Sequence, residues 1–200
     1  TGGYDGKGAY QFDGSGVHVL VNHSPSLNIT NEHTITAWIY ADTYAQTYVR
    51  IAEKYSDSGD NAVWVCGVNS NSIYYGLWNS STSQTFFGDA GTLTNGKWHF
   101  IACRSNGSTM NAFIDGSKTS VSRSFNAPLI TSDGEIYIGT RAPGDYAFNG
   151  IIDEFRIYNR SLSDAQILAL YQNRTDLVVS DETVIGENWS ACVTPNDGIE

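Results

Sequence analysis

The stretch Thr34-Ile-Thr-Ala-Trp-Ile-Tyr40 alternates between apolar side chains and a second, more polar or aromatic set. In an extended chain Ile35, Ala37 and Ile39 would share one face, which is typical of a half-buried β-strand. Similar runs recur along the chain, separated by turn pairs such as Asp115-Gly116. The strand candidates are residues 8–21 (two strands divided by the turn Asp13-Gly14-Ser15-Gly16), 34–40, 48–53, 62–68, 73–78, 84–88, 97–104, 109–115, 118–123, 135–140 and 151–158. This series predicts an all-β protein, an antiparallel sandwich of two sheets.

Length and charge limit what the chain can be. Its 200 residues suffice for one sandwich but not for two full-sized domains. Eleven Lys and Arg against 21 Asp and Glu give a net charge of −10, so we expect no nucleic-acid partner. No apolar run approaches the roughly 18 residues of a membrane helix, so we expect no membrane insertion. Because Thr1 is not preceded by a basic leader, we expect a processed or excised segment.

Asn-x-Ser/Thr sequons point to the compartment. Seven such sites are glycosylation candidates, at Asn22, Asn28, Asn79, Asn106, Asn159, Asn173 and Asn188. An Asn- and Ser-rich chain produces some of them by chance, but together they favour an exported protein. We therefore expect an extracellular or cell-surface location.

Three cysteines, Cys66, Cys103 and Cys192, are too widely spaced for a zinc ribbon or a redox Cys-x-x-Cys motif. Cys66 and Cys103 fall in strand-like runs. They fit either two buried thiols or a disulfide between neighbouring strands, and the pairing with Cys192 is open.

One short helix is predicted near the C-terminus. Ser163 followed by Gln166 forms a capping-box pattern, and the apolar residues within 167–171 supply a stripe. Before it, Ile151, Asp153 and Phe155 should share one face of a strand. An ionised carboxylate among hydrophobic residues costs several kcal/mol unless it is paired or bound to a metal.

Five segments carry a family resemblance. They are Gly8-Ala-Tyr-Gln-Phe-Asp-Gly14, Thr34–Tyr40, Gly96-Lys-Trp-His-Phe-Ile-Ala102, Ala112-Phe-Ile-Asp-Gly116 and Gly150-Ile-Ile-Asp-Glu-Phe-Arg-Ile-Tyr-Asn-Arg-Ser-Leu-Ser163. In this order they resemble the laminin-G-like, concanavalin A-like jelly-roll domains over about residues 4–174. The resemblance implies two curved antiparallel sheets and a structural calcium ion.

The same resemblance implies the calcium ligands, namely Asp153 and oxygens of the turn that contains Asp13, Gly14 and Gly16. Calcium takes 6–8 oxygen ligands, including carbonyls, so a Gly-rich turn facing a carboxylate is suitable. Many relatives have an acidic residue just after the turn, where this chain has Val17 and His18. The alternative is that Asp153 accepts backbone N–H bonds.

A second form of that alternative pairs Asp153 with an arginine, either Arg156 or Arg141.

Catalysis is not expected. Retaining glycosidases need two carboxylates about 5–5.5 Å apart. Asp153 and Glu154 are adjacent and would point to opposite faces of a strand, and no Glu-x-Asp-x-Glu run occurs.

Glycan binding is the first functional hypothesis, because sugar sites pair stacking aromatic rings with Asn, Asp and Ser. The ligand-binding candidates are Tyr146, Tyr44, Asp145 and Trp78. Trp38, Trp98 and Trp64 are interpreted instead as sandwich core.

Self-assembly is the second hypothesis. A jelly roll over residues 1–175 leaves a strand-like extension over 176–200. Its residues 177–200 could pack on their own sandwich, add a strand to a neighbouring copy in a surface filament or layer, or open a further domain. A third hypothesis is an ancillary domain of a larger glycan-processing enzyme.

Overall fold

Two six-stranded antiparallel sheets face each other in the computed structural model, which describes residues 2–56, 62–80, 84–86 (backbone only), 91–141 and 144–174. The first sheet has the order β1 (Tyr10–Asp13), β12 (Asn149–Tyr158), β3 (Glu32–Ala41), β8 (Lys97–Asn106), β9 (Thr109–Ile114), β10 (Ser117–Ser124). The second has the order β2 (Val19–Val21), β11 (Ile136–Ile138), β4 (Val49–Tyr55), β5 (Ala62–Asn69), β6 (Ser72–Trp78), β7 (Gln84–Phe86). The predicted jelly-roll sandwich is confirmed.

The turn at Asp13–Gly16 separates two strands that do not pair with each other. β1 lies at the edge of the first sheet beside β12, and β2 lies at the edge of the second sheet beside β11. Gly14 and Gly16 both have positive φ, at 74° and 109°, which glycine adopts without steric cost. The chain therefore crosses from one sheet to the other at this turn.

The core lies between the sheets and follows the predicted alternation. Ile35, Ala37 and Ile39 of β3 are buried and contribute to it. From the second sheet, Trp64 and Tyr75 are the largest fully buried side chains that face them. Burying such residues supplies the main stabilisation of the sandwich.

A disulfide joins Cys66 of β5 to Cys103 of β8, with the Cα atoms 6.3 Å apart. Because β5 and β8 belong to different sheets, the bond crosses the core and does not join neighbouring strands as one prediction had it. Cys192 and the extension over 176–200 lie outside the described residues.

The helix α1 spans Asp164–Tyr171 and begins with the predicted capping box. The Ser163 side chain accepts from the backbone N–H of Gln166, whose side chain accepts from the backbone of Ser163. Ile167 is buried, but Leu168 is 40 % exposed, so the predicted apolar stripe is narrower than expected. Among the described residues, no helix has the length and apolar character needed to cross a bilayer.

The outer face of the first sheet is covered. Trp38 packs there with Phe100, Phe113 and Ile167, in a cluster separate from the main core. Trp38 is buried, as expected for a core residue, but it lies in this outer cluster and not in the core between the two sheets. A small second core lies under α1.

A bulge in β12 changes which residues face inward. Opposite β3, Asp153 pairs with Trp38 and Arg156 pairs with Thr36. The two residues between Asp153 and Arg156 therefore lie opposite the single residue between Thr36 and Trp38, which is a β-bulge. Glu154 takes a positive φ of 49° there. As a result Asp153 shares the outer face with Trp38, while Phe155 packs toward the main core. The prediction that Asp153 faces inward is wrong for this reason.

Candidate functional site

A group of five residues at one end of the second sheet has the geometry of a binding site. Its members are Tyr48, Arg50, Glu53, Tyr74 and Tyr146, here called the tyrosine–arginine cluster. Tyr48 and Tyr146 are 48 % and 44 % exposed, whereas Arg50, Glu53 and Tyr74 are buried. The cluster thus presents two accessible aromatic rings on a buried polar base.

Arg50 connects the members of the cluster. Its guanidinium donates to Glu53 Oε2 at 2.8 Å and to the backbone oxygen of Tyr48 at 2.5 Å. The same group lies 5.0 Å from the ring centres of both Tyr74 and Tyr146, within the range of cation–π attraction. The backbone N–H of Arg50 also donates to the oxygen of Tyr146 at 2.9 Å.

Strand register places Arg50 and Tyr74 on one face with a glycine between them. Arg50 pairs with Gly67, and Gly67 pairs with Tyr74. A Cβ atom on Gly67 would lie 2.2 Å from the backbone oxygen of Val49, so no other residue fits there without a shift. The missing side chain leaves room for the guanidinium to reach the Tyr74 ring.

Backbone strain occurs at both exposed tyrosines. Tyr48 has a φ of 57° and Tyr146 a φ of 52°, in the left-handed region that bulky residues rarely adopt. Such conformations cost about 1–2 kcal/mol per residue and are found most often at functional sites. The Tyr146 ring lies over the Arg50 guanidinium, and the Tyr48 ring lies edge-on to Tyr74 with ring centres 5.4 Å apart.

Burial shapes the electrostatics of the cluster. It raises the pKa of Glu53, and the attraction of Arg50 opposes that shift. Burial also raises the pKa of Tyr74 to about 12, so its hydroxyl stays protonated at neutral pH. Glu53 is buried and paired with Arg50, which does not suit a carboxylate that must exchange protons with a substrate. The arrangement is suited to binding.

Of the predicted ligand-binding residues, Tyr146 and Asp145 lie at this end of the molecule, and both are exposed. The backbone oxygen of Asp145 accepts bonds from Arg141 N at 2.8 Å and from Thr140 Oγ1 at 3.1 Å. These bonds hold the segment that presents Tyr146.

The other two ligand-binding candidates, Tyr44 and Trp78, are buried, so their rings are not accessible for stacking on a ligand. Tyr44 is 2 % exposed, and burial raises the pKa of its phenol. Its hydroxyl points to the backbone oxygens of Ile39 and Lys97. Trp78 is 7 % exposed and packs with Val65 and Tyr74.

Sequence reasoning missed Arg50 and Glu53. The signal was present, since three charged residues, Arg50, Glu53 and Lys54, interrupt the apolar pattern of the strand Val49–Tyr55. Charged side chains are rarely buried unless they are paired. An intrastrand ion pair could therefore have been predicted, although its contact with Tyr146 could not.

The residues predicted to hold calcium are not brought together. Asp13 pairs with Asn149, four residues before Asp153 on β12, which is a separation of roughly 13 Å along the strand. Both Asp13 oxygens accept from Ser15, and that hydroxyl bond lowers the Asp13 pKa. Gly14 and Gly16 belong to the same distant turn. The four residues therefore do not fit one ion.

Asp153 is partnered by backbone N–H groups. Oδ2 accepts from Tyr4 N at 2.9 Å, and Oδ1 accepts from Glu154 N at 2.8 Å. Arg156 pairs with Glu154 and not with Asp153. Within the described ranges, no group of three or more His, Cys, Asp or Glu side chains is placed to hold a metal ion.

The sequons differ in accessibility. The exposed asparagines are Asn22, Asn106, Asn159 and Asn173. Asn79 is half-buried and donates to Asn126 O at 3.0 Å. The Oδ1 atom of Asn28 is buried and has no hydrogen-bond partner in the described part of the chain. Asn188 lies outside the described residues.

Comparison with known proteins places the fold. A family model described as the concanavalin A-like lectin/glucanases superfamily matches residues 13–168. No curated protein matches the chain.

Among solved structures, the chain is similar to domain 4 of AbnA, a GH43 extracellular arabinanase from Geobacillus stearothermophilus, in complex with arabinotriose. The TM-score is 0.67 at 19% identity, over 86% of this chain and 80% of that one. It is also similar to the binding domain of botulinum neurotoxin serotype G (TM-score 0.60, 18% identity, 86% of this chain, 48% of that one). A third similar structure is the binding domain of botulinum neurotoxin DC in complex with rat synaptotagmin II (TM-score 0.62, 18% identity, 78% of this chain, 40% of that one). The chain spans about half the length of these neurotoxin domains.

Proposed function

The chain belongs to the concanavalin A-like lectin/glucanase superfamily, and we propose that it is a non-catalytic, extracellular glycan-binding domain whose contact surface is the tyrosine–arginine cluster. One observation carries the proposal. Two half-exposed tyrosines in strained backbone conformations meet a buried arginine: the Tyr146 ring lies over the Arg50 guanidinium, and the backbone oxygen of Tyr48 accepts a hydrogen bond from it.

The chemistry of sugars fits this surface. A sugar ring has apolar C–H faces that pack on aromatic rings, and hydroxyls at its edge that need hydrogen-bond partners. Tyr48 and Tyr146 offer ring faces and phenolic hydroxyls, and Asp145, next to Tyr146 in the chain, adds an exposed carboxylate. Because Arg50 and Glu53 neutralise each other, the base of the site favours a neutral ligand.

Two wider settings for such a domain are compatible with the comparisons. A similar structure is a domain of an extracellular arabinanase, which supports an ancillary role in a larger glycan-processing protein. An adhesive role at the cell surface would use the same site. Self-assembly of a filament through residues 177–200 concerns a segment outside the described residues and stays a prediction.

A structural calcium ion stays a prediction that concerns Asp153, since the turn at Asp13 lies elsewhere. The measurement is the melting temperature in calcium and in a chelator. A calcium-dependent rise that Asp153→Asn removes would support the ion. Equal melting temperatures would show that backbone N–H groups suffice to partner this carboxylate.

The binding proposal is tested on a glycan array with purified chain. For a glycan that the wild type binds, Tyr146→Ala and Tyr48→Ala should each lower the affinity by about tenfold or more. The reason is the loss of an aromatic contact. The matched control is Tyr10→Ala, which removes a tyrosine that is 68 % exposed on β1, away from the cluster. Binding that is absent, or that Tyr10→Ala weakens as much as Tyr146→Ala does, contradicts the proposal.

A further inference from the structure

Exposed apolar side chains are concentrated at one edge of the sandwich. Tyr10, Val17, Leu20 and Val21 are all exposed, and they follow one another within residues 10–21. This stretch contains β1 and β2, the outermost strands of the two sheets, and the turn between them. It contains no Lys or Arg. We call it the β1–β2 edge.

The opposite edge of the first sheet is built differently. It is formed by β10, which consists mainly of exposed serines together with Lys118 and Arg123. Charged and polar side chains on an edge strand hinder its pairing with a further strand. An apolar edge without such side chains is typical of a surface that another segment covers. The β1–β2 edge is therefore the one that we expect to be covered.

A groove of about 230 Å³ opens at the β1–β2 edge between the two sheets. Its lining is mainly apolar and comes from both sheets. β1 and β12 contribute from the first sheet, and β2 and β11 contribute from the second. The apolar lining residues are Tyr10, Phe12, Val19, Ile138, Ile152 and Phe155.

The exposure of Tyr10 shows how open this groove is. Tyr10 and Phe12 are two residues apart in β1, so their side chains lie on the same face of the strand. Phe12 belongs to the main core and is 2 % exposed, whereas Tyr10 is 68 % exposed. Val19 and Phe155 are only half-buried although they pack against the same core. The described residues thus leave part of the sandwich interior open here.

The last described residues lie beside the groove. Asn173, which follows α1, lines a small cavity together with Tyr4 and Glu154. Glu154 also lines the groove. An extended chain advances about 3.3 Å per residue, so residues 177–179 can lie roughly 10–17 Å beyond Arg174. That reach is sufficient to pass Glu154 and enter the groove.

We propose that Leu177-Val178-Val179 of the same chain docks in this groove as an added strand at the β1–β2 edge. These residues are the first apolar run after Arg174. Alternate side chains of an added strand enter the pockets of the surface that it joins, so Leu177 and Val179 point inward and Val178 points outward. Attachment to the same chain gives the segment a high effective concentration at the groove. The docked segment covers the edge and prevents two copies from pairing there.

The test is nuclear magnetic resonance of the full chain with isotope-labelled methyl groups. Nuclear Overhauser contacts should join the Val179 methyls to those of Val19 and Ile138, and Val178 should show no such contact. A sample that mixes labelled and unlabelled copies tells contacts within one chain from contacts between two. The proposal is overturned if Val179 has no contact with the groove, or if its contacts arise only between copies.

A matched pair of variants tests the alternation. Val179→Asp places a charge in the groove and should speed amide exchange in β1 and β2 by about tenfold or more. Val178→Asp adds the same charge one residue away, on the outward side, and should leave this exchange as it is in the wild type. Equal exchange rates in the two variants, whether fast or slow, would contradict the docked strand.

Discussion

The outer faces of the two sheets are both rich in aromatic residues but differ in what covers them. On the first sheet, α1 and Tyr4 cover Trp38, Phe100 and Phe113, and these rings are buried. On the second sheet, Tyr48 and Tyr146 remain about half exposed. Aromatic content alone therefore does not identify a binding face.

What separates the two faces is the combination of exposure and backbone strain. Packed rings on the covered face, such as Trp38, lie on regular strands, where burial alone stabilises them. Tyr48 and Tyr146 gain little from burial, and their conformations cost free energy. We expect substitutions on the covered face to lower stability and those on the open face to lower binding.

The largest expected effect is on the covered face. Ile167→Ala should lower the free energy of unfolding by about 3 kcal/mol, because it leaves a cavity beneath α1. Urea unfolding measures the change. Leu168→Ala, one residue along the same helix and 40 % exposed, should cost less than about 1 kcal/mol. Equal costs would mean that α1 does not cover the first sheet in solution.

Lowering the pH should reduce the free energy of unfolding through a buried histidine in the interior of the sandwich. His33 is buried with Nε2 2.7 Å from the Tyr75 hydroxyl, and burial lowers its pKa to about 4. Well above pH 6.5 the histidine is neutral in both folded and unfolded states, so it makes no contribution to the pH dependence of stability there. Between pH 6.5 and about 4 the unfolded chain binds the proton first, and the loss of stability reaches about 3 kcal/mol.

The measurement for His33 is urea unfolding at several pH values for wild type and His33→Gln. The amide can still bond to Tyr75 but does not titrate, and all other groups cancel in the difference. A pH dependence that is the same in both proteins would mean that His33 is accessible to protons in the folded state.

A smaller loss of stability should follow from releasing the N-terminal loop, the segment before β1 that contains Tyr4. Asp153→Ala removes the acceptor for Tyr4 N and should cost about 1–2 kcal/mol, with faster amide exchange at Tyr4. Asp13→Ala is the matched control, because that exposed carboxylate accepts from Ser15 in its own turn, far from Tyr4. If Tyr4 exchanges equally fast in both variants, the stacking on Trp38 and not Asp153 holds the loop.

Most of the fold could be predicted because it depends on local patterns. Alternation identifies β3, and the capping box identifies the start of α1. The side of the sheet on which Asp153 lies could not be predicted. A bulge shifts the alternation by one residue, and the apolar pattern of the sequence does not reveal it.

The site was harder to predict because its members meet only in three dimensions. Tyr48 and Tyr146 are nearly a hundred positions apart and converge because the segment at Ala147 bridges to Arg50. Tyr44 was misplaced for a related reason. Its sequence neighbourhood is typical of a loop, yet its side chain is buried near Ile39. Loop-like sequence predicts backbone irregularity and does not predict side-chain exposure.

The smallest effect tests strain on the open face directly. Tyr146→Gly and Tyr146→Ala both remove the ring, so both should lose glycan binding. Glycine adopts a φ of 52° without cost, and alanine does not, so Tyr146→Gly should be the more stable by about 1 kcal/mol. At Tyr10, which lies within the strand β1, the order should reverse, because glycine weakens a regular strand relative to alanine. Thermal unfolding of the four variants measures both differences. The same order at both positions would remove strain as the feature that separates the open face from the covered one.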